Sequence, residues 1–154
     1  MLNHVFVNKA PRIMRGLMVR YGLKDFQAAG VLGNIGHECA GFLSMHEIGQ
    51  APGRGGYGWC MWTASRREKF FSWCKLRKLD WRLDAANEGY LYAELDDEFR
   101  HVIDHLRNAA DVDDATEIFE REFEMAGVVG MSSRLTWAHA ALNAFRASDY
   151  DMIA

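Results

Sequence analysis

Gly30, Gly33 and Gly36 recur every third residue inside a stretch whose apolar side chains, Phe26, Ala29, Leu32 and Ile35, keep helical spacing. Each glycine in a helix interior costs about 1 kcal/mol relative to alanine. A row of three on one helix is tolerable where a neighbouring element approaches closer than a Cβ would allow. The segment that begins near Lys24-Asp25 therefore reads as the central helix of a helix-packed domain. Two prolines in 154 residues leave most helical patterns uninterrupted, which also favours an α-rich fold. A chain of this length buries roughly 70% of its extended surface and needs no staples.

Other elements follow by the same reading. Asn8, Pro11 and Gly22 bracket a first helix with Ile13, Leu17, Met18 and Tyr21 on one stripe. Periodicity vanishes from Gly41 to Trp62, where five glycines (49, 53, 55, 56 and 58) mark a long loop or small β-hairpin. Ser65 and Glu68 fit a capping box ahead of Phe70, Phe71, Trp73 and Cys74. Further helices are expected over Asp84 to Leu95 and through Phe99, Val102, Ile103 and Leu106. Asp114 reads as the cap of another, stopped by Gly127, and Ser132 or Ser133 as the start of the last. The expected fold is mainly α, about seven helices around a central one, with a small β-hairpin or Gly-rich loop lining a cleft. It is read as a single domain over residues 1–154, expected to act as a monomer.

No apolar run approaches the roughly 18–20 residues that span a bilayer, so stable membrane insertion is not expected. Val5-Phe6-Val7 is too short for the apolar core of a signal peptide. Cys39, Cys60 and Cys74 are odd in number and lack CxxC spacing, the pattern of buried thiols rather than a disulfide framework. Charge divides sharply. Residues 1–82 carry 13 Lys/Arg against 5 Asp/Glu, and residues 83–154 carry 5 against 16. Either the first half attracts a polyanion or these are solvated helix faces. The Gly-rich loop has no basic run, so nucleic acid is not expected as a partner.

Glu38 is the first candidate for chemistry. It lies three residues after Ile35, at the edge of the central apolar stripe, where a carboxyl is partly desolvated. A carboxyl so placed, facing a cleft, suits general-acid cleavage of a glycosidic bond. The plainer alternative is a helix-end glutamate paired with an arginine. Asn34, one turn earlier, could orient a bound sugar or bond its neighbours. Tyr57, Trp59 and Trp62 put aromatic faces beside the Gly-rich segment, suited to the apolar faces of sugars; Trp62 could equally be core. Glu47 is the nearest second carboxylate, which glycosidases generally need. His37-Glu38 fails as HExxH because position 41 is Gly. His101 and His105 share a helix face but lack a third ligand, so no metal is expected. Cys39 with His37 or His46 would make a thiol peptidase, though neighbours on a helix pair poorly.

The run Ala28-Ala29-Gly30-Val31-Leu32-Gly33-Asn34-Ile35-Gly36-His37-Glu38, followed by Gly56-Tyr57-Gly58, Trp62-Thr63 and Arg66-Arg67, resembles the phage tail lysozyme family of peptidoglycan-cleaving domains. Glu94-Leu95 and Phe123-Glu124 sit where similar family pairs do, so the likeness spans about residues 15–146. It implies Glu38 as the catalytic acid, and Tyr57, Gly58, Trp62 and Thr63 as lining of the cleft. Cys39 stands where the family usually has Ser, and Met61 where it usually has Gln. The implied activity is that of a muramidase cutting peptidoglycan glycan strands without a cofactor. Lytic transglycosylation of the same bond, or an inactive glycan-binding or tail module, is the alternative. With no separate wall-binding domain expected, the resemblance suggests a small phage endolysin, made in the host cytoplasm and released to the cell wall by a holin. A virion-associated lysin is its variant.

Overall fold

In the computed structural model, which describes residues 3–150, seven α-helices and one π-helical turn follow each other with almost no strand. They are α1 (His4–Tyr21), α2 (Asp25–Glu38), α3 (Ala64–Leu76), α4 (Asp84–Asp96), α5 (Arg100–Leu106), α6 (Val112–Phe119), the π turn (Glu120–Glu124) and α7 (Met131–Arg146). The fold is mainly α, as the periodicity predicts. No helix among the described residues is long and apolar enough to cross a membrane.

Helix α2 is the centre. It packs against α1, α6 and α7, and every residue from Gln27 to Gly36 is buried. The glycine row explains how. A Cβ on Gly30 would lie 2.7 Å from the Ala115 backbone in α6, and one on Gly33 would lie 2.5 Å from Ala138 Cβ in α7. A Cβ on Gly36 would meet the Trp137 ring at 2.8 Å. The Gly33 substitution is the sharpest test, because its second neighbour is the Arg134 carbonyl at 2.6 Å, which cannot swing aside. Gly33→Ala should destabilise the protein by about 2 kcal/mol, overpacking outweighing the gain of about 1 kcal/mol in helix propensity. Urea denaturation measures this, and a variant as stable as the parent would contradict the close α2–α7 packing.

Several boundaries differ from the sequence reading. Helix α1 starts before Asn8, because the Asn3 side chain accepts from Phe6 N at 2.8 Å and caps it, leaving Pro11 inside the helix. Thr63, rather than Ser65, is the N-cap of α3. Asp111 caps α6 by accepting from Asp114 N at 2.8 Å. Helix α7 opens directly after Gly130, whose φ of 61° turns the chain, so neither Ser132 nor Ser133 caps it. The expected hairpin reduces to two isolated antiparallel bridges, His46 with Tyr57 and Tyr57 with Trp62.

The charge asymmetry resolves into internal pairing. Basic α1 lies along acidic α4, with Lys9–Asp84 at 2.7 Å, Arg12–Glu88 at 3.0 Å and Arg20–Asp96 at 2.5 Å. Arg146 of α7 pairs with Asp25 at 2.9 Å. These pairs are partly exposed, worth about 0–1 kcal/mol each. The three α1–α4 pairs fix the register of those helices and set positive charge of the first half against negative charge of the second, while Arg146–Asp25 runs the other way.

Candidate active site

Where α2 ends, the chain leaves a cleft of about 570 Å³. Its walls are the end of α2 (His37, Glu38), the glycine-rich loop (Ser44, 46–48 and 60–63), Arg66 of α3, the segment Glu124 to Val128, and Arg134 of α7. This volume accommodates sugar-sized ligands.

Glu38 is the last residue of α2, and its side chain is 16% exposed. A carboxylate at a helix C-terminus faces the negative end of the helix dipole and is unfavourable without a cation. Arg134 supplies one, its Nη2 lying 2.6 Å from Glu38 Oε1. Arg134 is only 1% exposed, yet all three guanidinium nitrogens are engaged. Nη1 donates to Asn34 Oδ1 at 3.0 Å and Nε to the Val129 carbonyl at 2.6 Å. Asn34 Nδ2 in turn donates to the Gly30 and Thr116 carbonyls at 2.9 and 3.1 Å. A buried ion pair is tolerable when its remaining hydrogen bonds are met in this way. Of the two roles open to Asn34, the structure shows the second. It is fully buried and orients Arg134, so a direct sugar contact is excluded by its packing.

A second network holds the opposite wall. Trp62 Nε1 donates to Glu94 Oε1 at 2.7 Å, and Arg66 grips the same carboxylate through Nε (2.9 Å) and Nη2 (2.8 Å). Arg66 Nη1 also reaches the Phe123 carbonyl at 2.8 Å, and its guanidinium lies over the Phe99 and Phe123 rings. Trp62 borders the cleft but is 1% exposed, so it is part of the wall rather than an open stacking face. Thr63 borders the cleft and is exposed.

Two expected lining residues lie elsewhere. Tyr57 turns its ring toward Phe70 and Phe71, into a neighbouring groove with Trp81, because its backbone bridges Trp62 on the other edge. Gly58 has φ of 88°, and a Cβ there would lie 2.7 Å from Asn87 Oδ1 and from the Trp62 ring. Its role is to shape the turn. Glu47 does border the cleft, and its Oε2 accepts from Gly56 N at 2.7 Å, bracing the glycine loop.

Sequence reasoning passed over Arg134 and left Glu124 without a role. Glu124 ends the π turn, which widens the helix just where it meets the cleft, a common location for such turns. Burial, then the charge of Glu38, push its carboxyl well above the usual range, against the opposing pull of Arg66 and Arg134. His37 also borders the cleft, its Nδ1 2.9 Å from Ser133 Oγ, and burial lowers its pKa. Cys39 is a poor nucleophile. It is fully buried, its Sγ is bonded to the Ile35 carbonyl at 3.1 Å, and burial pushes the thiol up to about 12.

The helical fold and a carboxyl-bearing cleft are the attributes of lysozyme-like, peptidoglycan-acting domains. The phage tail lysozyme family matches residues 8–145, and the chain belongs to that family. Among curated proteins none matches the chain, and neither does any solved structure.

Proposed function

We propose that this protein is an N-acetylmuramidase that cleaves the β-1,4 bond between N-acetylmuramic acid and N-acetylglucosamine in peptidoglycan. The observation that carries the reading is Glu38, a cleft carboxyl held in one orientation by a buried arginine. In the proposed reaction the reacting form is Glu38 after it has taken up a proton, which it gives to the glycosidic oxygen as the bond to the anomeric carbon breaks. The sugar passes through an oxocarbenium-like state. Water then adds to the anomeric carbon and returns a proton to Glu38, leaving a reducing end. Thr63 and Trp62 border the bound strand. Acid catalysis of this kind requires no metal or organic cofactor. The protein would act as a single catalytic domain and a monomer, serving a phage as an endolysin that reaches the wall after holin-type release.

Lytic transglycosylation is the second reading, favoured by the engagement of Glu47 with the loop backbone. There the muramic acid C6 hydroxyl replaces water, and an anhydro end forms. Glu47→Gln keeps a side-chain oxygen to accept from Gly56 N and is expected to lower the rate less than about tenfold. A loss of about a thousandfold in lysis assays would instead make Glu47 a catalytic carboxylate. Chemical assay of a digest separates both readings from a peptidase. New sugar ends without new amines are expected, and new amines without sugar ends would overturn the glycosidase assignment.

A further inference from the structure

We propose that the Glu124 carboxyl is a sugar-contacting group that donates a hydrogen bond to an acceptor oxygen of the amino sugar bound beside Glu38. This rests on the glycan-cleft reading above and adds a specific contact to it. Glu124 borders the same cleft as Glu38, and its Oε1 is buried with no hydrogen-bond partner. A buried carboxyl oxygen left unmet is costly, and such an oxygen beside a ligand-sized cleft is satisfied when the ligand arrives. The groups facing it from each packed element are Glu38 at the end of α2, Cys60 in the loop, Arg66 of α3 and Arg134 of α7. Both arginines are already committed, Arg66 to Glu94 and Arg134 to Glu38. The Cys60 thiol lies within hydrogen-bonding reach of the carboxyl, but a thiol is only a weak donor.

Burial, then the neighbouring Glu38, push this carboxyl well above the usual glutamate range, which favours the protonated form, an O–H donor rather than a second negative charge. The folded state therefore holds a proton that the unfolded chain releases, and this group's contribution to stability is full below the ordinary glutamate range. It is lost as pH rises toward the folded value. Ligand binding weakens above that value, where the donor is gone and two carboxylates face each other.

The test is binding of the parent, Glu124→Gln and Glu124→Leu to purified peptidoglycan sacculi, sedimented on ice across a pH series, with melting and turnover measured alongside. Glutamine keeps a neutral donor and acceptor, so its affinity should stay within about threefold of the parent and lose the parent's alkaline decline. Leucine should weaken binding about tenfold or more while melting no lower than the parent at neutral pH, since it removes an unmet polar group. A folded Leu variant that binds like the parent overturns the contact. A Gln variant that binds but has lost turnover overturns it too, because Glu124 would then be delivering a proton. A parent that binds sacculi without cutting them refutes the muramidase alone, and the Leu variant still decides the contact. A parent that does not bind sacculi removes both.

Discussion

Glu38→Gln should remove lytic activity by about a thousandfold while leaving the protein folded. The two side chains are nearly isosteric, but an amide has no carboxylic proton to give the leaving oxygen. The amide oxygen can still accept from Arg134 Nη2, which now sits 2.6 Å from the carboxylate, so the buried guanidinium keeps a partner. Its charge is no longer neutralised, and a modest fall in melting temperature, about 5 °C, is expected. Circular dichroism and thermal melting establish the fold, and turbidity loss of a peptidoglycan suspension establishes the rate. A folded variant with activity close to the parent's would mean that Glu38 is not the acid.

Arg134→Met should be the most damaging substitution for stability, at about 3–5 kcal/mol. It removes the cation opposite Glu38 and leaves Asn34 Oδ1 and the Val129 carbonyl without their donors, all within packed surroundings. Since domains of this kind are stable by about 5–15 kcal/mol, the variant retains little margin. Arg134→Lys tests geometry apart from charge. One ammonium cannot reproduce the fork that spans Glu38, Asn34 and Val129, so a folded lysine variant should still lose activity. Urea denaturation with a loss below about 1 kcal/mol for the methionine variant would contradict the structural role assigned to this arginine.

The legible parts of this fold are those with a local period. The Gly30, Gly33, Gly36 row marks a close-packed central helix because glycine at every third residue weakens a helix unless a neighbour fills the space its side chains vacate. Helix α2 is that helix, with α6 and α7 in the space. Glu38 is legible on the same ground, as a carboxyl at the end of a buried stripe. Arg134 carries no such signal. It lies 100 positions from Asn34, and its burial arises only when α7 crosses α2. Tyr57 and Trp62 show a different limit. Both are aromatic and flank the glycine loop, but which face each side chain takes depends on the bridge between them. One meets Glu94 at the cleft wall and the other meets Phe71 beyond it. Glu124 is visible in the sequence only as part of a family-like pair, since the π turn that aims its carboxyl inward has no sequence period of its own.

The same distinction separates the two halves of the charge pattern. An excess of Lys and Arg before residue 83 does not reveal its partners. In the structure, α1 answers α4 pair by pair along its length. The polyanion reading of the basic half therefore loses the three α1 cations, and Arg66 with them, to internal partners.

Mass spectrometry of purified peptidoglycan after digestion tests the central claim most directly. Cleavage at the bond assigned to Glu38 predicts muropeptides ending in reducing N-acetylmuramic acid, absent from a Glu38→Gln digest. Anhydro ends would keep the bond and the acid but replace water with the sugar's own hydroxyl. Glycan strands left intact by the folded parent protein would contradict the muramidase assignment.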